Sequence, residues 1–343
     1  MAVALKKGQN AAAEVKKAAK PQNNASKQRQ SRHGRGGRGE KEQPGERSSR
    51  SGFVALIGAP NAGKSTFINR LVGAKISIVT HKAQTTRALV RGIVRQDNTQ
   101  IVFVDSPGIF APKKPLDKAM IAAAWSGARE ADIVLLVVDA KEGFSARLEP
   151  LMAYLQQCRQ PKILVLNKID KAQPENLLAL AAQFNAAVSF DRVFMVSALN
   201  GSGCADVIMW LSAHLPLGPF YYPDDQLSDM PLRRLAAEIT REKLILRLHD
   251  ELPYTATIET EKWQERQDGS VKIDQICYVE RESHRKILLG AKGATIKAIG
   301  QAARKEIAAI LEQKVHLFLF VKVRPNWSKK AEHYREMGLD SAD

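Results

Sequence analysis

Cysteine is scarce. Three occur in 343 residues, Cys158, Cys204 and Cys277, and no two form a C-x-x-C pair. That excludes motifs built on paired thiols and predicts free cysteines, buried or incidental, in a reducing compartment. No apolar run reaches the roughly 18–20 residues needed to cross a bilayer, so no membrane span is expected. No basic start leads into an apolar core of about 7–15 residues, so no secretory signal is expected either. Residues 1–50 hold no aromatic residue. A segment of Ala, Lys, Gln, Gly, Ser and Arg cannot bury enough surface to offset its chain entropy. We read 1–50 as a disordered basic tail. Within it, Ser31 to Arg38 is an arginine–glycine tract, suited either to loose contact with RNA or to solubility alone. Ala2 to Lys20 suits a transient helix and lacks the apolar moment of a transit peptide.

Acidic residues are the minority. The chain carries 52 Lys and Arg against 36 Asp and Glu, a net charge of +16. The first fifty residues account for +9 of it, so the remainder is still basic. Such a charge points to a polyanionic partner, nucleic acid or anionic lipid.

Gly58-Ala59-Pro60-Asn61-Ala62-Gly63-Lys64-Ser65 reads G-x-x-x-x-G-K-S, a phosphate-binding loop. The apolar run Phe53 to Ile57 precedes it as a strand, and Thr66 to Val72 follows with Phe67, Ile68, Leu71 and Val72 at helical spacing. Successive backbone N–H groups and the helix N-terminus would cradle phosphate oxygens. Lys64 would reach the β- and γ-phosphates, and Ser65 would place a hydroxyl on Mg²⁺.

Asp105-Ser106-Pro107-Gly108 ends the apolar run Ile101 to Val104. Asp105 can hold Mg²⁺ through water, and Gly108 leaves the backbone free to approach a γ-phosphate. Asn167-Lys168-Ile169-Asp170 ends the run Ile163 to Leu166. The Asp170 carboxylate can accept both N1–H and N2–H₂ of guanine, a donor pair adenine lacks, so the nucleotide is GTP or GDP. Asn167 and Lys168 would brace the loop and pack on the base. Ser197-Ala198-Leu199 would offer backbone N–H to guanine O6. All four motifs lie at strand carboxyl ends, where α/β sheets bind ligands.

Between the first two motifs, Thr85 or Thr86 is the candidate for a mobile loop's threonine on Mg²⁺ and the γ-phosphate; Thr86 is preferred. Position 109 is isoleucine, where many GTPases carry a water-orienting glutamine. Ile109 cannot orient water, so hydrolysis needs another device or a partner. Asn61 either helps hold a monovalent cation, K⁺, against the phosphates or merely stabilises the loop turn. Lys64, Thr86, Gly108 and Asn61 are thus the catalytic candidates, and Ser65, Thr86 and Asp105 the metal candidates.

From Phe53 onward, strands are predicted at 53–58, 88–96, 99–105, 133–139, 162–167 and 192–197. Helices are predicted at 63–72, 115–129, 145–159, 174–187 and 202–214. The short turn at Asn98 makes one pair antiparallel, and helical crossovers make the rest parallel. The fold class is therefore α/β: a mostly parallel six-stranded sheet with one antiparallel edge strand. We divide the chain into the tail 1–50, a nucleotide domain 51–215, a proline-rich linker 216–230, a second domain 231–328 and a C-terminal tail 329–343. The second domain reads as a helix from Pro231 to Leu248, strands at 254–265 and 270–281 with an Asp268-Gly269 turn, a short helical piece at 284–289, the loop Gly290-Ala291-Lys292-Gly293, a helix from Ala294 to Glu312 and a strand from Val315 to Val323.

These motifs, with Gln84 to Arg87, Tyr221 to Asp229, Glu251 to Tyr254 and Ile287 to Lys297, make residues 53–328 resemble the Era family of GTPases. The linker and C-terminal motifs are the specific part, since the nucleotide motifs alone fit several translation-factor-class GTPases. Residues 1–50 do not match the family's compact start. The resemblance implies an α+β type II KH domain at the C-terminus, whose G-x-x-G loop grips the sugar-phosphate of about four nucleotides. Gly290, Ala291 and Gly293 would allow close approach, and Arg285, Lys286, Lys292 and Lys297 would neutralise phosphates. Ile287 and Ile296 would face bases or core. It further implies GTP hydrolysis, binding to the 3′ end of 16S rRNA, assembly of the 30S subunit, a monomer, and a cytoplasmic location with peripheral contact to the inner membrane. The competing reading is a membrane-peripheral signalling GTPase whose C-terminal domain is an adaptor.

Overall fold

The computed structural model describes residues 49–82, 85–110, 112, 114–249, 252–325, 327 and 339. The expected disordered tail up to residue 48, with its arginine–glycine tract, lies outside the described residues, as does the 329–343 tail apart from Leu339.

The first half alternates strands and helices: β1 (Arg50–Ile57), α1 (Lys64–Val72), β2 (Val90–Gln96), β3 (Thr99–Asp105), α2 (Pro115–Glu130), β4 (Ile133–Asp139), α3 (Glu149–Gln157), β5 (Lys162–Asn167), α4 (Pro174–Ala187), β6 (Arg192–Val196) and α5 (Cys204–His214). The six strands form one sheet in the order β2-β3-β1-β4-β5-β6. Only the β2–β3 pair is antiparallel, because the Asp97 turn is too short for a crossover. Residues alternate between the two faces of each strand. Leu56, Phe103, Leu135 and Val165 therefore pack with Phe67 and Ile68 of α1 and Leu211 of α5. Ile57, Leu136 and Leu166 pack on the other face with Ala124 of α2, Leu155 of α3 and Phe184 of α4. β3 and β4 are buried at every position, and each large apolar side chain removed from water contributes roughly 1.5–3 kcal/mol. This places β1, which feeds the phosphate loop, at the centre of the layer.

Two elements depart most from the sequence reading. β1 starts at Arg50 rather than Phe53, because Arg50 already pairs with Thr99 and bridges to Leu217. The helix expected at 145–159 splits into a 3-10 turn, Ala146–Leu148, and α3, which carries Pro150 in its first turn.

The stretch 216–230 has no regular structure, yet it is stitched to the sheet. Ser51 N–H donates to Pro216 O (3.1 Å) and Gly218 N–H to Ser49 O (3.0 Å). The buried Gln100 amide accepts from Tyr221 N (2.8 Å) and Tyr222 N (3.1 Å) and donates to Tyr222 O (2.8 Å). Farther on, Ile93 N–H donates to Leu227 O (2.9 Å), Ser228 Oγ donates to Arg91 O (2.6 Å), and Arg91 pairs with Asp229 (2.8 Å).

The second half comprises α6 (Leu232–Arg247), β7 (Ala256–Glu265), β8 (Val271–Val279), α7 (Glu282–Leu289), α8 (Ala294–Leu311) and β9 (Val315–Val323). β7 and β8 are antiparallel; β9 joins β8 in parallel. Gly269 takes φ +74° in the expected turn, where Asp268 Oδ1 accepts from Ser270 N and Oγ. One face of this sheet packs on α6 and α8 through Leu244, Ile299, Cys277 and Val279, and through Ile239, Ile273, Ala303 and Ile307.

All three cysteines are free thiols. Burial pushes Cys204 up to about 11 and Cys277 up to about 12, which leaves both protonated and unreactive. Among the described residues no helix is long and apolar enough to cross a membrane.

Candidate functional site

The turn from β1 into α1 is built by backbone conformations that suit glycine. Gly58 takes φ +158°, and a Cβ there would lie 2.3 Å from Val137 O. Gly63 takes φ +96°, and a Cβ would meet Asn167 Nδ2 at 2.3 Å. Lys64 is buried, its ammonium donating to Gly58 O and Ala59 O, both at 3.0 Å. Desolvation brings its pKa down to about 8, against the opposing pull of Asp105. Pro60, Asn61, Gly63 to Thr66, Thr86, Ser106 and Gly108 line a cleft of about 370 Å³ over this loop.

Inside it, three predicted metal residues converge. Ser65 Oγ lies 2.8 Å from Thr86 Oγ1 and donates to Asp105 Oδ2 at 2.8 Å; Thr86 Oγ1 reaches the same oxygen at 3.3 Å. Thr85 points elsewhere, to Thr80 Oγ1 (2.7 Å) and Lys82 O (2.8 Å). Asp105 is fully buried, and its Oδ1 has no hydrogen-bond partner. Burial raises its pKa, while Lys64 and the hydroxyls of Ser65, Ser77 and Thr86 oppose that rise. A buried carboxylate with one idle oxygen, flanked by two hydroxyls, is a hard-oxygen set suited to Mg²⁺. Among the described residues no group of three His, Cys, Asp or Glu could hold a metal alone, so phosphate and water oxygens must complete the shell. Ser65, Thr86 and Asp105 would hold the Mg²⁺ ion, which would supply positive charge to neutralise what develops on the phosphates.

Ser106 Oγ donates to Leu56 O (2.7 Å), and Pro107 is buried beside it. Gly108 lies against Pro60: a Cβ at Gly108 would meet Pro60 Cα at 2.7 Å. Ile109 is buried in the core with Ala59 and Ala124, its N–H on Gly58 O (3.2 Å). Its side chain is therefore unable to orient water. Asn61 takes φ +63°, and its Nδ2 donates to His81 O (3.0 Å), tying the phosphate loop to the segment that leads to Thr86.

At the base end, Asn167 Nδ2 donates to Ala62 O (2.9 Å) and its Oδ1 accepts from Ala198 N (3.0 Å). One amide thus joins three motifs. Asp170 is exposed and accepts from Ser197 Oγ at 2.5 Å. Leu199 is exposed, and Arg70 donates to the carbonyls of Ala198 and Leu199. Lys168, at φ +64°, donates to Asn61 O (2.6 Å) and pairs with Asp139 (2.7 Å). Asp139 is absent from the sequence reading. Its signal was a carboxylate at the carboxyl end of β4, in line with Asp105 and Asn167. Ser77, whose Oγ donates to Asp105 Oδ2 at 2.8 Å, carried no signal.

In the second half, Gly290 (φ +72°), Lys292 (φ +50°) and Gly293 (φ +77°) turn the chain between α7 and α8. Arg285, Lys286, Ala291, Lys292 and Lys297 are exposed around this turn. Arg285 is paired with Glu282 at 2.9 Å. Ile287 is 55% exposed and so belongs to the surface, whereas Ile296 packs on the core. Beside the turn, Ile296, Lys297, Gln301, Arg304 and Phe318 line a groove of about 330 Å³ between α8 and β9. Gln301 and Arg304 were missed, although they follow Lys297 at helical spacing.

A family model described as a 50S ribosome-binding GTPase matches residues 53–168, and a KH domain model matches 251–328. The GTPase Era of Brucella suis biovar 1 (strain 1330) is 65% identical over 292 residues, 85% of this chain and 94% of the relative. The GTPase Era of Dinoroseobacter shibae (strain DSM 16493 / NCIMB 14021 / DFL 12) is 57% identical over 298 residues, 86% and 97% of the two chains. A crystal structure of Era in complex with MgGDPNP and nucleotides 1506-1542 of 16S ribosomal RNA is 36% identical, with a TM-score of 0.81, covering 85% of this chain and 99% of that one. The first half of the chain is thus a P-loop GTPase domain and the second a KH domain, and the chain belongs to the Era family of GTPases.

Proposed function

We propose that this protein is a GTP-hydrolysing RNA-binding switch that binds the 3′ end of 16S rRNA and acts in assembly of the 30S subunit. The convergence of Ser65, Thr86 and Asp105 over the phosphate loop carries the reading. Lys64 holds the β- and γ-phosphates, Ser65 and Thr86 hold Mg²⁺ with Asp105, and Gly108 gives the γ-phosphate a backbone N–H. Asp170 selects guanine, with Asn167, Lys168 and the 197–199 turn shaping its pocket. GTP orders residues 75–87 and 106–115, which biases how the KH domain sits and thereby its RNA affinity. Gly290 to Gly293 and the surrounding cations grip the RNA backbone. The 16S assignment follows the RNA in the solved Era complex.

The domain division stands as part of this proposal: 51–215, 216–230 and 231–328 between two tails. We place the protein in the cytoplasm as a monomer, with its basic surface in peripheral contact with the inner membrane. Crosslinking in cells, followed by sequencing of bound RNA, tests the function. Reads should concentrate at the 3′ end of small-subunit rRNA. Recovery of no RNA would overturn the reading and favour the membrane-signalling alternative.

With Ile109 buried, we assign Asn61 Oδ1 to a K⁺ ion against the phosphates, while Nδ2 keeps its bond to His81. Turnover should be faster in KCl than in NaCl at equal ionic strength. Equal rates would remove this assignment.

A further inference from the structure

The segment that carries Thr86 is held from outside by the KH domain. Val79 N–H donates to Glu242 Oε1 (2.9 Å), Lys75 pairs with Glu242 (2.7 Å), and Lys82 donates to Leu248 O. Arg87 is buried and donates to the carbonyls of Ala256 (3.0 Å), Tyr254 (3.2 Å) and Pro253 (3.3 Å). At the centre is Arg241 of α6, only 1% exposed. Its guanidinium forks onto Glu238 (3.0 and 2.5 Å) and also donates to Thr85 O. Burial pushes the Glu238 carboxyl up, but Arg241 and Arg87 more than offset this and keep it ionised.

Thr85 O and Thr86 N belong to one peptide plane. Fixing that carbonyl fixes the direction from which Thr86 enters the site, 2.8 Å from Ser65 Oγ. We propose that Arg241 is a positioning residue for GTP hydrolysis: from the KH domain it holds the Thr85–Thr86 peptide so that the Thr86 hydroxyl meets the metal site. The proposal rests on the reading of Thr86 as the switch threonine. It makes the KH domain a working part of the GTPase as well as its output.

A residue that only glued the domains would affect stability and leave the chemistry alone. The test therefore reads kcat, KM and the Mg²⁺ requirement of the full chain carrying Arg241→Met with Glu238→Gln. This pair roughly keeps side-chain volume and removes the buried Arg241 cation together with the carboxylate it forks onto. Of the Arg241 hydrogen bonds lost, only the one to Thr85 O holds the Thr85–Thr86 peptide, so kcat should fall about tenfold. The Mg²⁺ concentration for half-maximal turnover should rise. KM for GTP and affinity for GDP should change less than about twofold, since GDP has no γ-phosphate for the threonine to reach. Unchanged kcat and Mg²⁺ requirement in a folded variant overturn the proposal. If the pair fails to fold, Arg241→Lys keeps the charge opposite Glu238 but not the fork onto both partners. An intermediate kcat is then expected, and wild-type kcat overturns the proposal. Thr86→Ala separates the two layers: if it leaves kcat unchanged, the switch-threonine reading has failed, independently of Arg241.

Discussion

Replacing Asp170 by Asn should weaken GTP binding at least about a hundredfold and admit xanthosine triphosphate. The carboxylate is acceptor-only and would take two N–H donors from guanine. Hydrogen bonds to charged groups contribute roughly 1.5–3 kcal/mol each; the amide leaves one bond uncharged and sets a donor against N2–H₂ in place of the other, which together cost about two decades of affinity or more. The amide that replaces it offers one acceptor and one donor, which fits the 2-oxo group of xanthine. The surroundings tolerate the change. Asp170 is exposed at the head of a short turn, and its visible partner, Ser197 Oγ, can donate to an amide oxygen as well as to a carboxylate. Competition of GTP, ATP and xanthosine triphosphate against a fluorescent GDP would measure it. An unaltered preference for GTP would contradict the role given to Asp170.

Gly290→Asp with Gly293→Asp should abolish RNA binding and leave GTP hydrolysis nearly intact. The two glycines fail for different reasons. A Cβ at Gly290 would lie 2.2 Å from Thr295 Oγ1, so the loop itself must shift. A Cβ at Gly293 meets nothing within 4 Å, and its φ of +77° is one that aspartate adopts at modest cost. Gly293→Asp alone is therefore the cleaner test: it sets a carboxylate among Lys292, Lys297 and the incoming phosphates with little distortion. Filter binding of an rRNA 3′-end fragment, alongside phosphate release from GTP, reads both halves. Retained RNA binding would sink the role assigned to this loop.

The sheet was legible because its strands are short apolar runs bounded by glycine, proline and acidic residues, and because each nucleotide motif sits where such a run stops. β3, β4 and β5 match their predicted limits for that reason. The choice between Thr85 and Thr86 could only be a preference in one dimension. Neighbours in an extended segment point to opposite sides, and tertiary contacts decide which side faces Ser65. Arg87 was legible as part of a motif, but its destination on three carbonyls some 170 positions later was not. Nor does an apolar pattern mark a polar brace, which is why Asp139 escaped. The proline-rich stretch was read as a spacer because composition reports how stiff a segment is but not what its main chain bonds to. Gln100, a buried amide in a strand, was the overlooked sign that another backbone lies alongside.

That stitched stretch fixes the length of the leash. Main-chain and side-chain bonds hold it to the sheet as far as Ser228 and Asp229, and α6 begins at Leu232. Only a couple of residues separate the anchored backbone from the KH domain. A tether that short keeps the two surfaces at an effective concentration of millimolar order. Contacts such as Arg241 on Thr85 therefore need only weak intrinsic affinity to re-form after each release. Lengthening the leash would weaken them without altering a single contact.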